Sequence, residues 1–86
     1  MKINQKADLF SEALKNELIE IRTKCGLSKN EAATRAGLAV SFVSYLESGK
    51  RRPTVETLAK LAWVYDTTPS AILVNCEKAI ESTPQE

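Results

Sequence analysis

The sequence predicts an all-α protein, a five-helix compact bundle in one domain. Three observations carry this. Glycine and proline are scarce, with three of each in 86 residues. Apolar residues recur at three- and four-residue steps, and strand-like alternation is absent. Capping and turn residues divide these periodic stretches into segments of helical length. The chain suffices for one modest core, and its 43% hydrophobic and 27% charged residues are those of an ordinary globular protein.

Residues 1–7 read as a flexible polar arm, and the domain is expected over residues 8–81. A first helix is predicted over 8–24, with Phe10, Leu14, Leu18, Ile21 and Cys25 along one face. Gly26 suits a left-handed cap at its end. Ser28 and Glu31 have the spacing of a capping box, which opens a second helix running to Ala36. Gly37 supplies the positive φ of a sharp helix–helix turn, and Leu38 is expected to plug the core from within it. The third helix is predicted over 40–48 and stops at Gly49, with Pro53 barring continuation. Thr54 caps a fourth helix whose inward stripe is expected to be Val55, Leu58, Leu61, Ala62 and Tyr65. Thr68-Pro69 starts a fifth, with Ile72, Leu73, Cys76, Ala79 and Ile80 as its stripe. Residues 82–86 are expected to fray.

Several function classes are excluded. There is no histidine, and Cys25 and Cys76 are isolated, so neither a metal site nor another cofactor is expected. Both cysteines are expected as small core residues. No acid, base and nucleophile converge in the sequence, and no glycine-rich loop cradles phosphate, so the chain is not expected to be an enzyme. The absence of a signal peptide or a membrane-length apolar run makes a cytoplasmic location, with no membrane partner, the expectation.

The net charge of +1 does not by itself announce a nucleic-acid partner, but its distribution is uneven. Residues 1–27 carry five basic and four acidic groups. Residues 28–52 carry Lys29, Arg35, Lys50, Arg51 and Arg52 against Glu31 and Glu47, a net of +3, and residues 53–86 carry a net of −3. Positive charge therefore gathers around the third helix. At 100° per residue that helix divides into two sides. Val43, Leu46 and Glu47 fall on one, and Val40, Ser41, Ser44, Tyr45 and Ser48 on the other. The second side is slim, uncharged and able to hydrogen-bond, where a water-facing helix would more often carry Glu and Lys. Such a face suits base edges in a DNA major groove. Val40 would meet a thymine methyl, Ser41 and Ser44 a base edge or phosphate, and Tyr45 a base or phosphate. None is a bidentate reader, so DNA shape is expected to supply much of the specificity. Ser48, Lys50, Arg51 and Arg52 would take phosphates on one flank. Ser28, Lys29 and Asn30, at the start of the second helix, would take them on the other.

These residues together carry a resemblance. The stretch from Leu18 to Leu73 resembles the helix-turn-helix domain of lambdoid phage repressors and Cro, often called XRE-type. The resemblance rests on Arg22, Gly26-Leu27-Ser28, Glu31, Ala33, Gly37-Leu38, Val43-Ser44, Glu47, Gly49, Pro53, Leu58, Leu61-Ala62 and residues 69–73. It implies a lambda-repressor-like fold with the second and third helices as the reading unit. It places Val40, Ser41, Ser44 and Tyr45 where members touch bases, and implies an ion pair between Arg22 and Glu47. Three positions depart from the family pattern. Lys29 stands where glutamine is common, Ala39 where a capping Ser or Thr is usual, and Ala32 where leucine is usual, leaving space for Phe42.

The resemblance further implies a transcriptional regulator acting on operator DNA. One domain makes a small DNA contact, so a homodimer on a palindrome with half-sites about 34 Å apart is expected. Trp63 and Val74 lie beside the inward stripes of the last two helices and are the expected dimer anchors. Trp63 could instead cover the N-terminal arm or first helix. Controller proteins of restriction–modification systems and phage repressors are similar in size. Such a protein would block RNA polymerase or contact it from an upstream site. The alternative is an antitoxin-like module that uses the same fold to bind a partner protein.

Overall fold

The computed structural model describes residues 2–82, and its five helices are α1 (Ile3–Lys24), α2 (Lys29–Ala36), α3 (Val40–Ser48), α4 (Val55–Val64) and α5 (Pro69–Glu81). No strand occurs among these residues. Local chemistry sets most of the boundaries. The Ser28 hydroxyl accepts the Glu31 amide at 3.0 Å while the Glu31 carboxylate accepts the Ser28 amide at 3.0 Å, a reciprocal box that starts α2. Thr54 and Thr68 cap α4 and α5 through Thr57 and Ala71 amides. Gly37 ends α2 at φ +70°, a conformation that costs a side-chain-bearing residue about 1–2 kcal/mol. Asp66 turns the chain after α4 at φ +56°, which a short polar side chain tolerates.

α1 and α5 form the most extensive helix pair. α2 bridges α3 and α4, and α3 also rests on α1. Leu18, Leu46, Leu58, Leu61, Tyr65, Ile72 and Cys76 meet in one core, with Ala32, Ala36 and Ala62 allowing the helices to approach closely. Phe10, Leu14, Ile21, Leu38 and Phe42 close its edges.

The structure corrects four expectations. Residues 3–7 are not an arm but the first turns of α1. They carry no apolar period, yet the Lys2 amide donates to the Gln5 side chain at 3.1 Å and the residues are good helix formers. Cys25 is exposed at the end of α1, its thiol donating to the Tyr65 carbonyl at 3.5 Å, and only Cys76 lies in the core. Val55 is 84% exposed, because the first turn of α4 projects past the packed layer. Ala79 is also exposed, so the inward stripe of α5 narrows to Ile72, Leu73, Cys76 and Ile80. Of the tail expected to fray, Ser82 caps α5 and residues 83–86 lie outside the described residues.

Burial pushes the Tyr65 phenol up to about 12; the Glu47 charge adds to this and Arg22 opposes it. Burial likewise pushes the Cys76 thiol up to about 11. The fold thus holds both groups neutral. A folded pKa above the unfolded one gives stability that is whole below the unfolded value and is lost as pH rises through the folded one. The urea midpoint is therefore expected to fall as pH rises from about 9 to about 12. Tyr65→Phe should flatten the part of that decline above about pH 10, as followed by circular dichroism.

Candidate nucleic-acid interface

α3 is aimed by one ion pair. Arg22, in the last turns of α1, donates Nε to Glu47 Oε2 at 2.7 Å and its second terminal nitrogen to Oε1 at 2.9 Å. The remaining terminal nitrogen donates to the Leu27 carbonyl at 2.9 Å. One planar guanidinium thus joins α1, the α1–α2 turn and α3 in a fixed fork. Both side chains are largely withdrawn from solvent, at 15% and 5% exposure. The hydrogen bond to Glu47 raises the Arg22 pKa, outweighing the desolvation that would lower it.

With Glu47 held inward beside buried Val43 and Leu46, the opposite side of α3 turns outward. Val40 and Tyr45 are 42% and 37% exposed, Ser41 is exposed and Ser44 is half-buried. No acidic group lies among these four. No side chain caps α3, since Ala39 has no oxygen to offer. At the start of α2, Ser28 and its amide are engaged in the capping box, so the amides and side chains of Lys29 and Asn30 are what remain to meet an anion. The Ser28 amide and hydroxyl hold the Glu31 carboxyl below its ordinary pKa.

The loop after α3 is exposed and basic. Arg51 and Arg52 extend from it, while the Lys50 ammonium lies over the Tyr45 ring, 4.9 Å from its centre. Ser48 gives its hydroxyl proton to the Tyr45 carbonyl at 3.2 Å and accepts the Lys50 amide at 3.4 Å. In this arrangement Ser48 has no proton left for a phosphate. Trp63 and Val74 are exposed, at 65% and 43%. Sequence reasoning missed the Leu27 carbonyl as a third partner of Arg22, and the contact between Lys50 and Tyr45. It also missed that Val55, Ala59 and Trp63 stand four residues apart, which gives α4 a second, outward apolar stripe.

Against this geometry, the helix-turn-helix family model matches residues 18–72, spanning the second half of α1 through the start of α5. The chain belongs to the XRE-type helix-turn-helix family. This helix-turn-helix protein is 40% identical over 70 residues to the HTH-type transcriptional regulator AnsR of Bacillus subtilis, covering 81% of this chain and 60% of that one. It is 41% identical over 64 residues to the HTH-type transcriptional regulator PuuR of Escherichia coli, covering 74% of this chain and 35% of that one. The chain therefore spans less than two thirds of the length of either relative. The crystal structure of the clp gene regulator ClgR from Corynebacterium glutamicum shares the fold. Its TM-score is 0.78 over 84% of this chain and 77% of that one, at 22% identity. Among the described residues, no group of three or more His, Cys, Asp or Glu side chains could hold a metal ion, and no helix is long and apolar enough to cross a membrane.

Arg22→Met should strand the Glu47 carboxylate and destabilise the protein by about 3–5 kcal/mol. Arg22→Met with Glu47→Leu should recover much of this. The part not recovered reflects the Leu27 carbonyl, which loses its donor in both variants, at about 1–3 kcal/mol. Chemical denaturation of the three proteins measures the difference.

Proposed function

We propose that this helix-turn-helix protein is a sequence-specific, double-stranded-DNA-binding transcriptional regulator that lays α3 in the major groove. The observation that carries this is the two-sidedness of α3. Its acidic residue is turned inward onto Arg22, and its outward side is light, neutral and able to hydrogen-bond. Val40, Ser41, Ser44 and Tyr45 meet base edges, with Val40 suited to a thymine methyl. Lys29 and Asn30 at the start of α2 hold phosphate on one flank, with Ser28 keeping that helix end in shape. Arg51 and Arg52 hold phosphate on the other, and Ser48 keeps their loop in register with α3. The family membership and the relatives named as transcriptional regulators support the same reading.

A single domain of this size buries too little DNA surface for tight binding. The protein acts as a homodimer on a palindromic operator, with half-sites about 34 Å apart. Trp63, with an exposed indole on the outer side of α4, and Val74 on α5 are the proposed dimer anchors. Regulation is by occupancy, either blocking RNA polymerase or contacting it when bound upstream.

Selection of duplexes from a random pool, at stated salt, tests this reading. An enriched palindrome supports it, and failure to enrich any sequence counts against it. On the enriched site, Arg51→Ala with Arg52→Ala should flatten the log–log salt dependence by about 1.8, at about 0.9 per phosphate contact. Tyr45→Ala should weaken binding to that site more than to unrelated duplex. Trp63→Ala should shift sedimentation toward the monomer, and an unaltered dimer removes it from the interface.

A further inference from the structure

Lys50 is a loop cation that the structure does not aim away from the protein. Its Nζ lies 4.9 Å from the Tyr45 ring centre, within the ~6 Å over which an aromatic face attracts a cation. The backbone makes this placement specific. The Tyr45 carbonyl accepts the Ser48 hydroxyl at 3.2 Å and the Arg51 amide at 3.1 Å. The Lys50 amide donates to Ser48 at 3.4 Å, and Gly49 closes the turn at φ +81°. The Lys15 stem supports that turn, its Cδ 3.3 Å from where a Gly49 Cβ would stand, and the Lys15 ammonium is paired with Glu12 at 2.6 Å. The start of the Lys50 side chain is thus fixed relative to the ring it covers.

On the reading that α3 faces DNA, we infer that Lys50 is a positioning residue for Tyr45 and sets specificity through it, and is not a third phosphate ligand beside Arg51 and Arg52. An exposed tyrosine on a helix loses rotamer freedom when it docks against a base. A cation over one ring face restricts that freedom in advance and leaves the other face and the hydroxyl to the groove, so less is lost on binding. One ammonium cannot cover the ring and sit on a phosphate beyond the loop together. Two loop cations, not three, then contribute to the salt dependence of binding.

The test compares wild type, Lys50→Arg, Lys50→Met, Tyr45→Leu and the Lys50→Met/Tyr45→Leu double variant. Each is measured on the duplex enriched from a random pool and on single base-pair variants of it, across a salt series. Lys50→Met should leave the salt slope nearly unchanged, where a lost phosphate contact flattens it by about 0.9. It should reduce discrimination at one base pair by about three- to fivefold. Lys50→Arg should retain that discrimination, and Lys50→Met should add nothing once Tyr45 is leucine. In the free protein, the Lys50 methylene protons should be shifted upfield by the ring in wild type and not in Tyr45→Leu. A slope flattened by about 0.9 with discrimination intact overturns the inference alone. So does an equal cost of Lys50→Met with and without the tyrosine, or the absence of the upfield shift in wild type. A wild type that enriches no duplex overturns the DNA reading, and this inference with it.

Discussion

The bidentate pair between Arg22 and Glu47 is the constraint from which the rest of the surface follows. A glutamate in the middle of a nine-residue helix beside a DNA groove would repel phosphate if it faced outward. Here its charge is turned into the domain and matched by a guanidinium that also holds the Leu27 carbonyl. Burial costs both ions hydration, so the net gain in stability is small compared with the cost of removing one partner. What the pair supplies is orientation, since a planar fork accepts one arrangement of α1, the α1–α2 turn and α3. Tyr65 packs into the same part of the core, and its raised pKa reports the low-polarity surroundings in which the pair works.

The two ends of α3 translate that orientation into a surface. Gly37 before the helix and Gly49 after it both take left-handed backbone. One brings α2 and α3 together at a sharp angle, and the other turns the basic loop back along the exposed side of α3. The loop is tied to Tyr45 through its carbonyl by Ser48 and Arg51 and through its ring by Lys50. The cations and the outward face of α3 therefore move as one body, which is what a reading element needs if its contacts are to be made in register.

Much of this was legible in the sequence where a rule is local. The Ser28–Glu31 box, the Thr54 and Thr68 caps and the glycine turns depend on residues within a few positions of each other, and α2 through α4 begin and end as those signals predict. The two sides of α3 were legible for the same reason, because the angle per residue alone separates Val43, Leu46 and Glu47 from Val40, Ser41 and Tyr45. Periodicity failed where a helix carries more apolar residues than its neighbours cover. Val55 and Ala79 fit the stripes of α4 and α5, but no packed layer reaches them. Residues 3–7 failed in the opposite sense, forming helix without any apolar period to signal it. Contacts such as Arg22 to the Leu27 carbonyl, or Lys50 over Tyr45, depend on side-chain paths that no spacing encodes.

The central claim is that the outward side of α3, flanked by the start of α2 and the basic loop, is where DNA lies. Amide shifts of isotope-labelled protein, recorded while adding the enriched duplex, test it most directly. The account predicts that the largest changes fall on residues 29–30, 40–45 and 50–52, with little change around Trp63 and the outer side of α5. Changes centred on α4 and α5, with α3 undisturbed, would contradict it.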